Sequence, residues 1–180
     1  MNESEVITSV RRWVESVVVG FNLCPFAKRE LVKDRVRFAV TAAESEEALL
    51  TALHDELRFL QSHAEVETTV LIHPGVLQCF DDYNQFLNEA DALIAGMQLE
   101  GVIQVASFHP DYQFGGTSVD DAENYTNRSP YPLLHLLREE SLERVIDETL
   151  DVDQIPVRNI ERMRQIGQPE LERLLQSFLP

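Results

Sequence analysis

Thr68-Thr69-Val70-Leu71-Ile72-His73-Pro74 and Gly101-Val102-Ile103-Gln104-Val105-Ala106-Ser107-Phe108-His109-Pro110 are two apolar runs that end in the same dipeptide, and their reading decides the fold. Each predicts a strand, the first through its β-branched residues and the second after a glycine that opens it. Between them Tyr83, Phe86, Leu87, Ala90, Ile94 and Met97 recur at the spacing of one helix face. Upstream the same change of period occurs once more. Val36-Arg37-Phe38-Ala39-Val40 alternates in part as a strand does, and Ser45 then caps a helix whose face is Leu50, Leu53, Leu57 and Leu60. Strand, helix, strand, helix, strand is the pattern of crossover connections in a mostly parallel sheet with helices on one or both faces. The expected class is α/β, with a small sheet of three strands or slightly more. A ferredoxin-like α+β fold and a thioredoxin-like fold are the alternatives.

Helices flank this centre. Val6, Val10, Trp13, Val17 and Phe21 form one stripe of a helix from about Ser4 to Gly20. After Phe108 the periodicity vanishes from His109 to Ser129, a length of chain that in compact domains is usually functional or disordered. Ser118 and Asp121 have the spacing of a cap and its acidic partner, so a short helical turn is expected inside it. Ser129-Pro130 then reads as a helix cap and first turn, launching a helix through Leu133, Leu134 and Leu137 to about Ile146. Two short helices close the chain, separated at Gly167-Gln168-Pro169.

The chain of 180 residues and 44% hydrophobic content is expected to form one domain, residues 1–180. It carries 15 Lys+Arg against 31 Asp+Glu, a net charge of −16, which argues against nucleic acid and anionic membranes as partners because the summed field repels phosphates. No apolar run approaches the roughly 18 residues needed to span a bilayer, and the first five residues are polar and acidic, so a cytoplasmic protein is expected. Cys24 and Cys79 stand far apart with no C-x-x-C pairing, which indicates reduced thiols rather than a disulfide framework or a zinc ribbon.

The candidate chemistry gathers where the strands end. If the strands run parallel, His73 and His109 both stand at the carboxyl edge of the sheet, where open α/β sheets bind ligands. There they would serve as acid/base groups or ligands, oriented by Asp111 and Tyr112. Against this stands a plainer reading, in which each His-Pro ends a strand and its ring caps loop carbonyls. Asn127, Arg128 and Ser129 would make a pocket for an anionic group, the guanidinium joining the free amides of a helix N-terminus. In the competing reading Arg128 pins the loop. His135, a turn into that helix, faces either the pocket or solvent. A metal held by His73 and His109 with Asp111, Asp120 or His135 is chemically suitable but has no recognised ligand spacing.

A separate candidate is Asn22-Leu23-Cys24-Pro25-Phe26-Ala27. With Pro25 as first helical residue, Cys24 is the cap, and the helix end with Lys28 and Arg29 would lower the thiol pKa and make it reactive. The other reading is a buried cysteine that packs the turn.

Taken with Ser107-Phe108-His109-Pro110-Asp111-Tyr112-Gln113-Phe114 and the run from Thr126 to Ser141, that hexapeptide gives the chain its likeness. It resembles, over essentially its whole length, a bacterial family of uncharacterised proteins known only as a domain of unknown function. The resemblance implies a bacterial, cytoplasmic, single-domain protein and supplies no reaction, cofactor or catalytic residue. Three functional readings follow from the residues: an enzyme or binder of an anionic small molecule at the carboxyl edge, a non-catalytic adaptor or homo-oligomer using the acidic 139–153 segment, or a redox protein acting through Cys24.

Overall fold

The computed structural model describes residues 2–148 and 152–180. Its centre is a four-stranded sheet of β1 (Val36–Val40), β2 (Thr68–Ile72), β3 (Ile103–Phe108) and β4 (Leu133–Arg138), in the order β1-β2-β4-β3. β1 pairs with β2 in parallel, and β4 runs antiparallel to both β2 and β3. The three strands expected from the sequence therefore point one way and the chain is α/β, but β4 between β2 and β3 makes two of the three pairings antiparallel where a mostly parallel sheet was expected. The element order βαβαββ is not the βαββαβ of a ferredoxin-like fold.

β4 stands where a helix was expected, and this is the main correction. Leu133, Leu134, Leu136 and Leu137 are all buried because the strand is covered on both faces, and such a strand reads as an unbroken apolar run. Leucine carries no strand signal of its own. The signal that was available lies just upstream, since Ser129 and Tyr131 each precede a proline and are thereby biased to extended backbone. The helix begins only at α5 (Glu139–Glu148), and the acidic segment 139–153 falls partly outside the described residues.

One face of the sheet carries α3 (Glu46–Ser62) and α4 (Phe80–Gly96). Ser45 caps α3 by accepting from the Ala48 amide, and Leu49, Leu53, Leu57 and Leu60 pack with Leu71, Ile103, Leu134 and Leu136 into one core cluster. The other face carries α1 (Glu3–Trp13), with α6 (Ile155–Ile166) and α7 (Gln168–Gln176) contributing Met163 and Leu171 to a second cluster. Gly167, at φ +85°, lies between α6 and α7 as expected, in a conformation other residues rarely adopt.

Past Trp13 the first helix widens into a π-helical segment, Val14–Val19, with bonds from the Gly20 amide to Glu15 and from Leu23 to Val18. A Cβ at Gly20 would collide with the Ser16 carbonyl, so only glycine fits where this turn closes. The wider turn places Val14 and Val18 over the sheet, opposite α2 (Pro25–Val32).

Candidate functional site

The two histidines do come together, on either side of a residue the sequence reading passed over. β4 is the single strand between β2 and β3, and at its start Tyr83 of α4 donates to the Leu133 carbonyl at 2.8 Å while accepting from the Phe108 amide at 3.0 Å. His73 stacks on the Tyr83 ring at 5.8 Å and His109 lies 5.1 Å from it. Burial raises the phenol pKa well above its ordinary value.

Both imidazoles are fully buried, and their partners fix their tautomers. His73 donates from Nδ1 to the Val76 carbonyl at 3.1 Å. His109 donates from Nε2 to the Leu77 carbonyl at 3.1 Å and accepts the Asp111 amide on Nδ1 at 3.0 Å. Two rings thus grip consecutive carbonyls of one loop, holding Leu77 at φ +57°, a left-handed conformation costly for leucine. Burial pushes the His73 pKa down to about 4 and lowers that of His109, so both are neutral clamps at neutral pH. Each ring thus caps a loop carbonyl, as in the plainer of the two readings of the His-Pro ends. Asp111 donates its backbone amide to His109 Nδ1, and the Tyr112 hydroxyl sits 3.4 Å from Ser107 Oγ.

The expected anion pocket is corrected. Ser129 caps no helix; its hydroxyl donates to the Tyr131 carbonyl at 2.7 Å, and the residues beyond lead into β4. Arg128 donates to the carbonyls of Tyr112 and Val119 at 3.1 and 2.8 Å and lies 4.5 Å over the Tyr125 ring. It pins the loop. Asn127 donates to the Ser107 carbonyl at 3.0 Å, and buried Asn124 ties Phe114, Thr117 and Ser118 together. The turn expected at Ser118–Asp121 is present, and a 3₁₀ segment, Ala122–Thr126, follows it.

The open space lies elsewhere, on the α1 face of the sheet. An outer cavity of about 460 Å³ is walled by Phe108, Phe114, Thr117 and Asn127 from the loop side, Leu23 and Cys24 from the turn before α2, and Asn159 and Ile160 of α6. An adjoining inner chamber of about 200 Å³ lies between Trp13, Val14, Phe26 and Leu31 above and Thr68, Val70, His135 and Leu137 of the sheet below. Val18, Cys24 and Phe108 line both. Each of the three sequence stretches singled out above sends a side chain into these walls: Cys24, Phe108 and Phe114, and Asn127 and His135.

His135 is the one sequence candidate on the floor of the inner chamber. Thr68 Oγ1 lies 2.6 Å from both the Leu136 carbonyl and His135 Nε2. A carbonyl only accepts, so the threonine proton goes to Leu136 and the histidine donates from Nε2, leaving Nδ1 a lone-pair acceptor. Burial pushes the His135 pKa down to about 4. Glu30 of α2, also lining the chamber and 1% exposed, receives Arg29 Nε on Oε1 at 2.8 Å, while Oε2 has Arg35 at 3.5 Å and no hydrogen bond. The sequence carried a signal for it: Phe26 and Glu30 are four apart, which puts a carboxylate on the buried face of the helix.

Cys24 sits between the cavities as the cap residue of α2. Burial pushes its thiol pKa up, outweighing the Ala27 and Phe26 amides that pull it down, so the thiolate expected there is corrected to a thiol. Arg29, one of the bases expected to act on it, donates instead to Glu30 at 2.8 Å. Among the described residues no group of three His, Cys, Asp or Glu side chains is placed to hold a metal ion, and no helix is long and apolar enough to cross a membrane.

These features define an α/β protein with a two-chambered cleft against one face of its sheet. The chain belongs to the family described as protein of unknown function (DUF1415), whose match covers residues 5–173. No curated protein and no solved structure matches it.

Proposed function

We propose that the chain binds a small molecule in the cleft beneath the His109–Ser129 loop, entering by the outer cavity. The observation that carries this reading is the shared wall of Val18, Cys24 and Phe108, which joins about 460 Å³ at the strand ends to about 200 Å³ over β4. Together they fall in the size range of ligand pockets, with a largely apolar lining and a few polar groups. The ligand is neutral. The cations near the cleft are already committed: Arg128 to two carbonyls and Arg164 of α6 to Glu123 at 2.7 Å. The lining is mostly apolar, so an anion would lose its hydration there without gaining an ion pair.

A thermal-shift screen of neutral and anionic fragments tests this, run on the wild type and on Ile160→Tyr, which fills the outer cavity. A fragment at about one hundred times its Kd adds roughly 2.7 kcal/mol, on the order of 5–10 °C for a chain of this size. Neutral fragments are expected to shift the wild type and to lose the shift in Ile160→Tyr. Shifts confined to anions, or unaffected by the substitution, would overturn the reading.

A further inference from the structure

We infer that the inner chamber is a hydrocarbon site, which takes a ring-sized apolar group of the ligand while the polar remainder stays in the outer cavity. The inference rests on the small-molecule reading of the cleft and names the chemistry its deeper end selects.

The chamber presents an almost wholly apolar wall, with Val14, Phe26, Leu31, Val70 and Leu137 around it. Its polar residues are engaged within the protein. Glu30 receives Arg29 and lies beside Arg35, and Thr68 is held between the Leu136 carbonyl and His135 Nε2. Thr117, Thr126, Asn127 and Asn159 line the outer cavity instead. Water does not settle in an apolar space, since a buried water needs 2–4 polar partners. A hydrocarbon does. About 200 Å³ exceeds the roughly 150 Å³ of an apolar cavity that stays dry and accepts benzene, so one substituted ring or a short alkyl chain of like volume fits.

The chamber is also a void that the fold holds open. His135 is half-buried on its floor, whereas Leu134 and Leu136, its neighbours on the same strand, are wholly buried on the opposite face. Ala106, its half-buried partner across the strands, offers only a methyl group where a larger side chain would occupy the space. Side chains that border a void forfeit dispersion contacts, and protein interiors ordinarily close over one. Here the covering chain is fixed by its π turn, which closes at Gly20 where no Cβ fits. A hydrocarbon group in the chamber would restore the missing contacts.

Trp13 is the one tryptophan of the chain and lines the inner chamber but not the outer cavity, so its fluorescence reports on the chamber. The probes are n-butanol and n-hexanol, titrated into the full chain by calorimetry, and a terminally brominated hexanol, whose bromine quenches an indole on contact. Each methylene moved from water into the chamber is expected to tighten binding about fourfold, so hexanol should exceed butanol by about fifteenfold. The brominated alcohol should quench Trp13. In Ala106→Leu, which fills the void from its floor, the gain with chain length should disappear while the unliganded protein melts no lower than wild type. Val18→Phe narrows the passage from the other side and should also remove the gain. Equal affinity for the two alcohols in the wild type, or a gain that survives Ala106→Leu without quenching of Trp13, would overturn the hydrocarbon inference and leave the cleft reading to its fragment shifts. A gain lost in Ala106→Leu but untouched by Ile160→Tyr would uphold the inner site and overturn entry by the outer cavity.

Discussion

The two faces of the sheet are built from the same strands and packed to different standards. On the α3 and α4 side, Leu49, Leu53, Leu57 and Leu60 are completely buried and interlock with Leu134 and Leu136. On the α1 side the neighbouring residues of the same strand, Leu133, His135 and Leu137, line a chamber of about 200 Å³. Alternation along β4 sends every second side chain into a closed core and the others toward space. The contrast teaches where to look for function: close packing is the default of a protein interior, so a face that forgoes it, and breaks its covering helix with a π segment to do so, is kept open for something.

Truncation should separate the faces most sharply. Leu57→Ala removes a fully buried side chain from the closed face and is expected to cost about 3–4 kcal/mol, read as a lowered urea midpoint. Val18→Ala, at the junction of the two cavities, removes atoms that already border empty space and should cost under about 1 kcal/mol. Comparable losses in both variants would mean that the open face is packed in solution, and the comparison would fail.

Acid probes the same contrast. The lowered pKa of His109 adds to the acid loss on the closed side. The two rings pushed furthest are His73 beside Tyr83 and half-buried His135 under the chamber. Unfolded, each takes up a proton near pH 6.5; folded, each waits until about 4. The unfolded chain therefore binds more protons between those values, and stability falls as pH drops through that window, by about 2 kcal/mol per ring at pH 5. Urea midpoints at pH 7 and pH 5 should show the loss, and His135→Leu should remove the share of that one ring, about 2 kcal/mol. If water fills the chamber, His135 titrates near its ordinary value and the substitution leaves the acid loss unchanged, which would sharpen the comparison by making the inner chamber wet.

What was legible in the sequence follows the same division. α3 and α4 could be read because each presents one apolar face at helical spacing, and the two His-Pro ends located the strand termini because both strands stop where a proline removes the donor. The role of those histidines was not legible. It depends on the carbonyls of Val76 and Leu77, which any residue would supply. β4 was hidden by its burial on both faces, and with it the position of His135, which as a helical residue would have had no fixed floor to stand on. The inner chamber was invisible for a further reason: Trp13, Glu30 and His135 are distant in sequence and meet only when α1, α2 and β4 are stacked.

The smallest effect concerns how the closed face is held at its rim. Arg37 of β1 makes a two-pronged pair with Glu56 of α3, at 2.8 and 2.9 Å, and stacks 4.2 Å over Phe59, whose other side carries His63 at 3.8 Å. The bonds to Glu56 raise the Arg37 pKa, and the pair stitches a helix to the outermost strand of the sheet. Yet the Arg37 side chain is 37% exposed, and an ion pair in that setting is screened by solvent. Glu56→Gln, which keeps the shape and one acceptor, should therefore lower stability by under about 1 kcal/mol, with the difference from wild type shrinking as salt rises. A loss as large as that of Leu57→Ala, or one indifferent to salt, would show that the rim and not the leucine layer holds α3 down, and the contrast between the two faces would then be one of electrostatics rather than of packing.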